Sequence, residues 1–113
     1  MSLDIYLLDD YCHECGRGDQ VFWQNITHNL TKMADEAGIY KCLWRPSENS
    51  ILTARQLIEP LGRAITMMKD DPARFEKHNP SNGWGSYQAF VPWLERLLEA
   101  CEKNPDARVK ASA

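Results

Sequence analysis

The chain has 113 residues, with 13 Lys and Arg against 16 Asp and Glu, so its net charge is −3 with histidine neutral. One domain, 1–113, fits that length, and a composition 43% apolar and 26% charged excludes an intrinsically disordered chain. The apolar runs fall far short of the ~20 residues a membrane helix requires, and an acidic chain whose cations are scattered singly lacks the basic track of a nucleic-acid binder.

The first segment, Leu3 to Leu8, alternates apolar and polar residues and predicts a strand over 3–8. Asp9 to Asp19 carries Gly16, Gly18 and Asp19 and reads as the turn of a hairpin that returns through Val21, Phe22 and Trp23. From Ile26 the period changes, because Ile26, Leu30, Met33, Ala34 and Ala37 share one helical face. Asn25 or Thr27 caps that helix and Gly38 ends it, leaving Ile39 to Ser50 as a loop.

A second long helix begins with Thr53 and Gln56 in a capping-box pattern and continues through Leu57, Leu61, Ile65 and Met68, with a kink expected at Pro60. Asp71 and Pro72 open a short helix through Phe75 to Lys77, and His78 to Ser86 reads as loop. The last helix spans 86–103 with Phe90, Leu94, Leu97, Leu98 and Cys101 on one face, until Asn104 and Pro105 stop it. In the tail, Val109 alternates with Arg108 and Lys110, which suits an edge strand beside the first strand. The expected fold is α+β: a small antiparallel sheet, formed by an N-terminal hairpin with the tail as a third strand, packed against three main helices.

Several residues carry possible chemistry. Cys12 and Cys15 form a CxxC turn that supplies half of a structural zinc site, with His28, Cys42, His78 and Cys101 as isolated candidates for the rest. Cys42 and Cys101 sit among apolar neighbours, where a small buried hydrophobe is the simpler role. His28 and Asn29 fall at a helix start, where unpaired N–H groups favour an anion, although plain capping also explains them. Trp23 and Trp93 read as packing residues. Trp44 is followed by Arg45 and Pro46, placing an aromatic plane beside a guanidinium, and Trp84 lies in Asn82-Gly83-Trp84-Gly85, where glycines let a ligand approach closely. The plainer alternative for Trp44 and Trp84 is a plug beneath a loop.

The runs Asn25-Ile26-Thr27-His28-Asn29-Leu30, Ala37-Gly38-Ile39-Tyr40, Leu43-Trp44-Arg45-Pro46 and Asn82-Gly83-Trp84-Gly85-Ser86-Tyr87 resemble a group of small phage- and prophage-encoded proteins of unknown function. The resemblance spans most of the chain and implies no particular reaction. It implies that His28, Asn29, Trp44, Arg45, Asn82 and Trp84 are characteristic positions, and a cytoplasmic setting in a bacterial host. The absence of a secretory layout at the N-terminus leads to the same expectation.

Three classes of function follow. The first is a non-enzymatic protein that binds a small anionic or nucleotide-like ligand, stacked on Trp44 and Trp84, paired to Arg45 and His28 and read by Asn82; for a phage-type protein this means acting on a host signalling or defence system. The second is a host-protein interaction module, which calls for an exposed apolar patch instead of a pocket. An enzyme ranks third, because the chain carries no Ser-His-Asp order, phosphate-cradling glycine loop or HExxH pattern.

Overall fold

Alternating apolar and polar residues make the first element a strand, β1 (Ser2–Cys12), which pairs antiparallel with β2 (Arg17–Thr27). The computed structural model describes residues 2–12, 14, 15, 17–80 and 85–113. Leu3 faces Ile26, Leu7 faces Phe22 and Cys12 faces Arg17, so the pairing runs well beyond the strand expected over 3–8. The turn predicted across 9–19 shrinks accordingly to the few residues between Cys12 and Arg17. Two register shifts, between Leu7 and Leu8 and between Asp9 and Cys12, let the ladder continue through turn-forming residues. Asp10 takes a left-handed conformation there, φ 50°, which Asp tolerates better than most residues.

Ile26 belongs to this ladder, not to the following helix. Its β-branched side chain is buried opposite Leu3, and only its distance from Leu30 imitated a helical stripe. The backbone turns one residue later. Thr27 is extended and its Oγ1 accepts the Asn29 N–H at 3.3 Å, starting a 3-10 turn, His28–Leu30, that passes directly into α1 (Thr31–Glu36). Gly38, at φ 74°, ends the helical stretch as expected of a residue without Cβ.

The stretch expected to be loop holds a further short helix, α2 (Tyr40–Trp44), and a 3-10 turn, Ser47–Asn49. Ile39 and Leu43 bury one side of it, and Tyr40 and Trp44 stack along another at the same four-residue spacing. Five residues are too few for a periodic pattern to stand out from sequence, and tertiary packing stabilises such a helix.

Helix α3 (Arg55–Asp70) buries Leu57, Leu61, Ile65 and Met68 and continues past Pro60. Gln56 Oε1 accepts the N–H groups of Leu52 at 2.6 Å and Thr53 at 3.0 Å, which is the returning half of a capping box. The short α4 (Pro72–Glu76) has proline in its first turn and buries Phe75. Ser86 Oγ caps α5 (Tyr87–Lys103) by accepting the Ala89 N–H at 3.2 Å.

The tail forms β3 (Arg108–Ser112) against β1, giving the antiparallel order β2-β1-β3. With α3, α5 and the stretch through α1 as its main helices, the chain has the expected α+β architecture. Leu3, Ile5 and Leu7 of β1 and Val109 of β3 join the helices in one apolar core. The stretch before α3 runs along β3, with Val109 N–H donating to Leu52 O and Ala54 N–H to Ala107 O, both at 2.9 Å. Among the described residues no helix is long and apolar enough to cross a membrane.

Candidate functional site

The α1–α2 turn brings His28, Thr31, Tyr40 and Trp44 to one side of the molecule, facing β3. Between them lies a cleft of about 660 Å³, with the exposed Arg45 and Glu48 at its mouth and lined further by Ile51, Leu52 and residues of β3. A volume of that size lies within the usual range for small-ligand sites. Trp44 is not the free-standing plane its place before Arg45 and Pro46 suggested. It is 8% exposed, stacked on Tyr40 with centroids 5.4 Å apart and planes 5° apart, with the His28 ring edge-on at 6.3 Å.

The polar atoms of this wall are unusual. Trp44 Nε1 and His28 Nε2 are shielded from solvent and have no hydrogen-bond partner among the described residues. An indole N–H can only donate, and an imidazole nitrogen donates or accepts according to its tautomer. A buried group of this kind left unpaired costs about 1–3 kcal/mol. Both therefore favour an acceptor brought in from the cleft, with a small shift of the lining to admit it.

Arg45 supplies charge at the mouth. Its guanidinium meets Glu48 at 3.0 Å, and hydrogen bonds to Glu48 and then to Tyr40 raise its pKa further. The pair is more than half exposed, so it contributes little to stability. Arg108 and Lys110 also border the cleft, but their charged heads lie over the Tyr11 ring, at 4.8 and 5.4 Å from its centroid.

A second cleft, of about 520 Å³, adjoins the first through His28 and Thr31 and is lined further by Asn29, Lys32, Lys77, His78 and Asn79. His28 and Asn29, expected together at one helix start, are divided between the clefts: His28 lines both and Asn29 the second alone. The helix start at His28 is a 3-10 turn leading into only six α-helical residues, so the anion-favouring helix dipole expected there is small. Behind the second cleft, Glu36 of α1 meets Arg74 at 3.1 Å, His78 at 3.6 Å and Lys77 at 3.9 Å, joining α1 to α4. The Arg74 hydrogen bond leads in holding the Glu36 carboxyl below the usual carboxylate range.

Asn82 and Trp84 lie outside the described residues. Their neighbours do bear on the site. Pro80 lines the second cleft, and Gly85, at φ 90°, packs so closely that a Cβ would stand 2.7 Å from Thr27 Cγ2. Glycine is needed there on both counts.

Cys12 and Cys15 stand exposed at the hairpin tip, with the Cys15 N–H donating to Cys12 Sγ at 3.4 Å. Hydrogen bonds from the Cys15 side chain and from the backbone lower the Cys12 thiol pKa, a setting compatible with a metal-binding thiolate. A closed zinc site needs four ligands, and among the described residues no group of three or more His, Cys, Asp and Glu gathers for a metal. Cys101 is buried in the core, which pushes its thiol up to about 12, and partial burial raises Cys42.

Tyr40, Thr31, Lys32 and Lys77 were not singled out by their sequence context, and His78 only as an isolated metal ligand. Tyr40 stands four residues before Trp44, a signal that becomes visible once that stretch is known to be helical. The others come together only where the ion pairs of Glu36 join α1 to α4 and the residues after it. No protein-family model, curated protein or solved structure matches the chain, so the site is read from its own geometry.

Proposed function

We propose that this chain is a non-enzymatic binding protein that takes a small anionic, nucleotide-like ligand in the aromatic cleft. The observation that carries the reading is the pair of buried, unpartnered nitrogens, Trp44 Nε1 and His28 Nε2, in the wall of a cleft with Arg45 at its mouth. A ligand with an acceptor-bearing planar part satisfies these nitrogens and packs against Tyr40 and Trp44. Its anionic group meets Arg45, whose guanidinium has donors to spare beyond those used by Glu48 and Tyr40. The family resemblance supplies the setting: a phage-type accessory protein acting on a host signalling or defence system.

A second reading, docking to a host protein, draws on the outer face of the sheet. There Val21 is 40% and Trp23 50% exposed, two residues apart on β2.

A panel of the four ribonucleoside monophosphates, added to the purified protein, separates the two readings. Under the first, at least one raises the melting temperature saturably. Arg45→Ala then weakens its binding by about 1.5–3 kcal/mol, the worth of a charged hydrogen bond, while stability changes by less than about 1 kcal/mol because the Glu48 pair is exposed. A panel without any shift removes the nucleotide reading and leaves the sheet face as the surface to probe.

A further inference from the structure

Three side-chain nitrogens are shielded from solvent: Trp44 Nε1 and His28 Nε2, which have no hydrogen-bond partner among the described residues, and His78 Nε2, which faces Glu36 Oε1 at 3.6 Å. The side chains that carry them line the two adjoining clefts, with His28 and His78 lining the second. That second cleft is also lined by Lys32 and Lys77 and, among the described residues, by no carboxylate. Lys32 is exposed and has no ion-pair partner among the described residues. Glu36, which does not line the cleft, directs Oε2 at Arg74, and its Oε1 stands 3.6 Å from His78 Nε2 and 3.9 Å from Lys77 Nζ. Asn79 Oδ1 is already occupied by the Tyr87 N–H at 2.7 Å and does not compete.

Donors and cations thus surround this space from two separated segments, 28–32 and 77–78, on a chain whose net charge is negative. A group that answers all of them at once must be compact, anionic and rich in acceptors on several sides. A carboxylate has two oxygens on one side, whereas a tetrahedral oxyanion offers acceptors all round. We propose that the second cleft is an oxyanion site of the phosphate class, held by His28, His78, Lys32 and Lys77. The anion is either free phosphate or the phosphate end of a larger ligand whose planar part occupies the aromatic cleft beyond His28, its phosphate then held here in place of Arg45. Only the latter source rests on the reading of that first cleft.

Titration of the full chain with inorganic phosphate, at constant pH and ionic strength with chloride as the reference, tests the site through the side-chain ¹⁵N resonances of His28 and His78. Both are expected to move saturably with phosphate and not with chloride. Lys32→Gln and Lys77→Gln should each weaken the apparent affinity about threefold, as for an exposed charge pair; both lysines are exposed, so the fold is retained. Resonances that move no further in phosphate than in chloride, or an affinity that neither substitution changes, overturn the proposal. Adenosine monophosphate in a second arm distinguishes the sources. Binding tighter than phosphate that Trp44→Phe returns to the phosphate level marks the end of a larger ligand. Binding no tighter than phosphate marks a free anion, which upholds the oxyanion site while removing the nucleotide from the first cleft.

Discussion

Trp93 and Trp44 are both buried, at 3% and 8% exposure, and they are held in opposite ways. Trp93, on α5, donates its indole N–H to Asn25 O at 2.9 Å, and its own carbonyl accepts Gln24 Nε2–H at 2.9 Å, so the helix is fastened to β2 through both groups. Trp44, on the one-turn helix α2, stacks on Tyr40 and leaves its N–H unpaired. Even Trp23, half exposed on the outer face, gives its N–H to Asp4 Oδ1 at 3.1 Å. Among the described tryptophans, the two that read as packing residues thus have their N–H groups satisfied. Trp44 is the exception, and it lines a cleft together with a histidine in the same condition, the observation on which the proposed binding wall rests.

Matched substitutions break or sharpen the contrast. Trp93→Phe and Trp44→Phe remove the same atoms, so their difference isolates the hydrogen bond. Trp93→Phe should cost about 1–3 kcal/mol beyond the packing loss, because Asn25 O is left without its partner. Trp44→Phe removes an unpaired donor and should cost less, within about 1 kcal/mol of wild type once the packing loss common to both is subtracted. Denaturant unfolding of the two variants measures this, and equal losses would mean that Trp44 is a packing residue like Trp93.

The ion pairs behind the second cleft give a smaller effect. The folded-state pKa of Glu36 is depressed, chiefly by the Arg74 hydrogen bond, so its contribution is present above the unfolded pKa and is lost as pH falls through the folded one. The wild type should be slightly more stable than Glu36→Gln at neutral pH, with the gap closing as pH drops below the ordinary carboxylate range. A gap that persists unchanged in acid would assign Glu36 a packing role instead.

What the sequence revealed followed the length of its patterns. Leu57, Leu61, Ile65 and Met68 repeat over three turns, and the alternation from Leu3 to Leu8 is long enough to define a strand, so α3 and β1 were legible. Helix α2 was not, since Tyr40 to Trp44 gives one repeat, and Ile26 was assigned to a helix because one strand residue fell at a helical distance from Leu30. The same limit governs the site. His28, Trp44 and Arg45 stood out by chemistry and do share a cleft. Lys32, Lys77 and His78 look like ordinary surface residues until α4 packs beside α1 and sets them around one space. Only tertiary contact, which no local pattern encodes, assembles that group.

The central claim, that Trp44 is kept unsatisfied for a ligand while Trp93 is satisfied by the fold, is tested most directly by the indole N–H resonances of the two residues in one ¹⁵N-labelled sample. Without ligand, the Trp93 N–H should show the downfield shift and slow exchange of a hydrogen-bonded group, with the Trp44 N–H upfield of it. On addition of the ribonucleoside monophosphate that raises the melting temperature, the Trp44 resonance should move downfield saturably and that of Trp93 should stay in place. A Trp44 N–H that already carries the shift of a hydrogen-bonded indole in the free protein, or that remains fixed while the nucleotide saturates, would contradict the account.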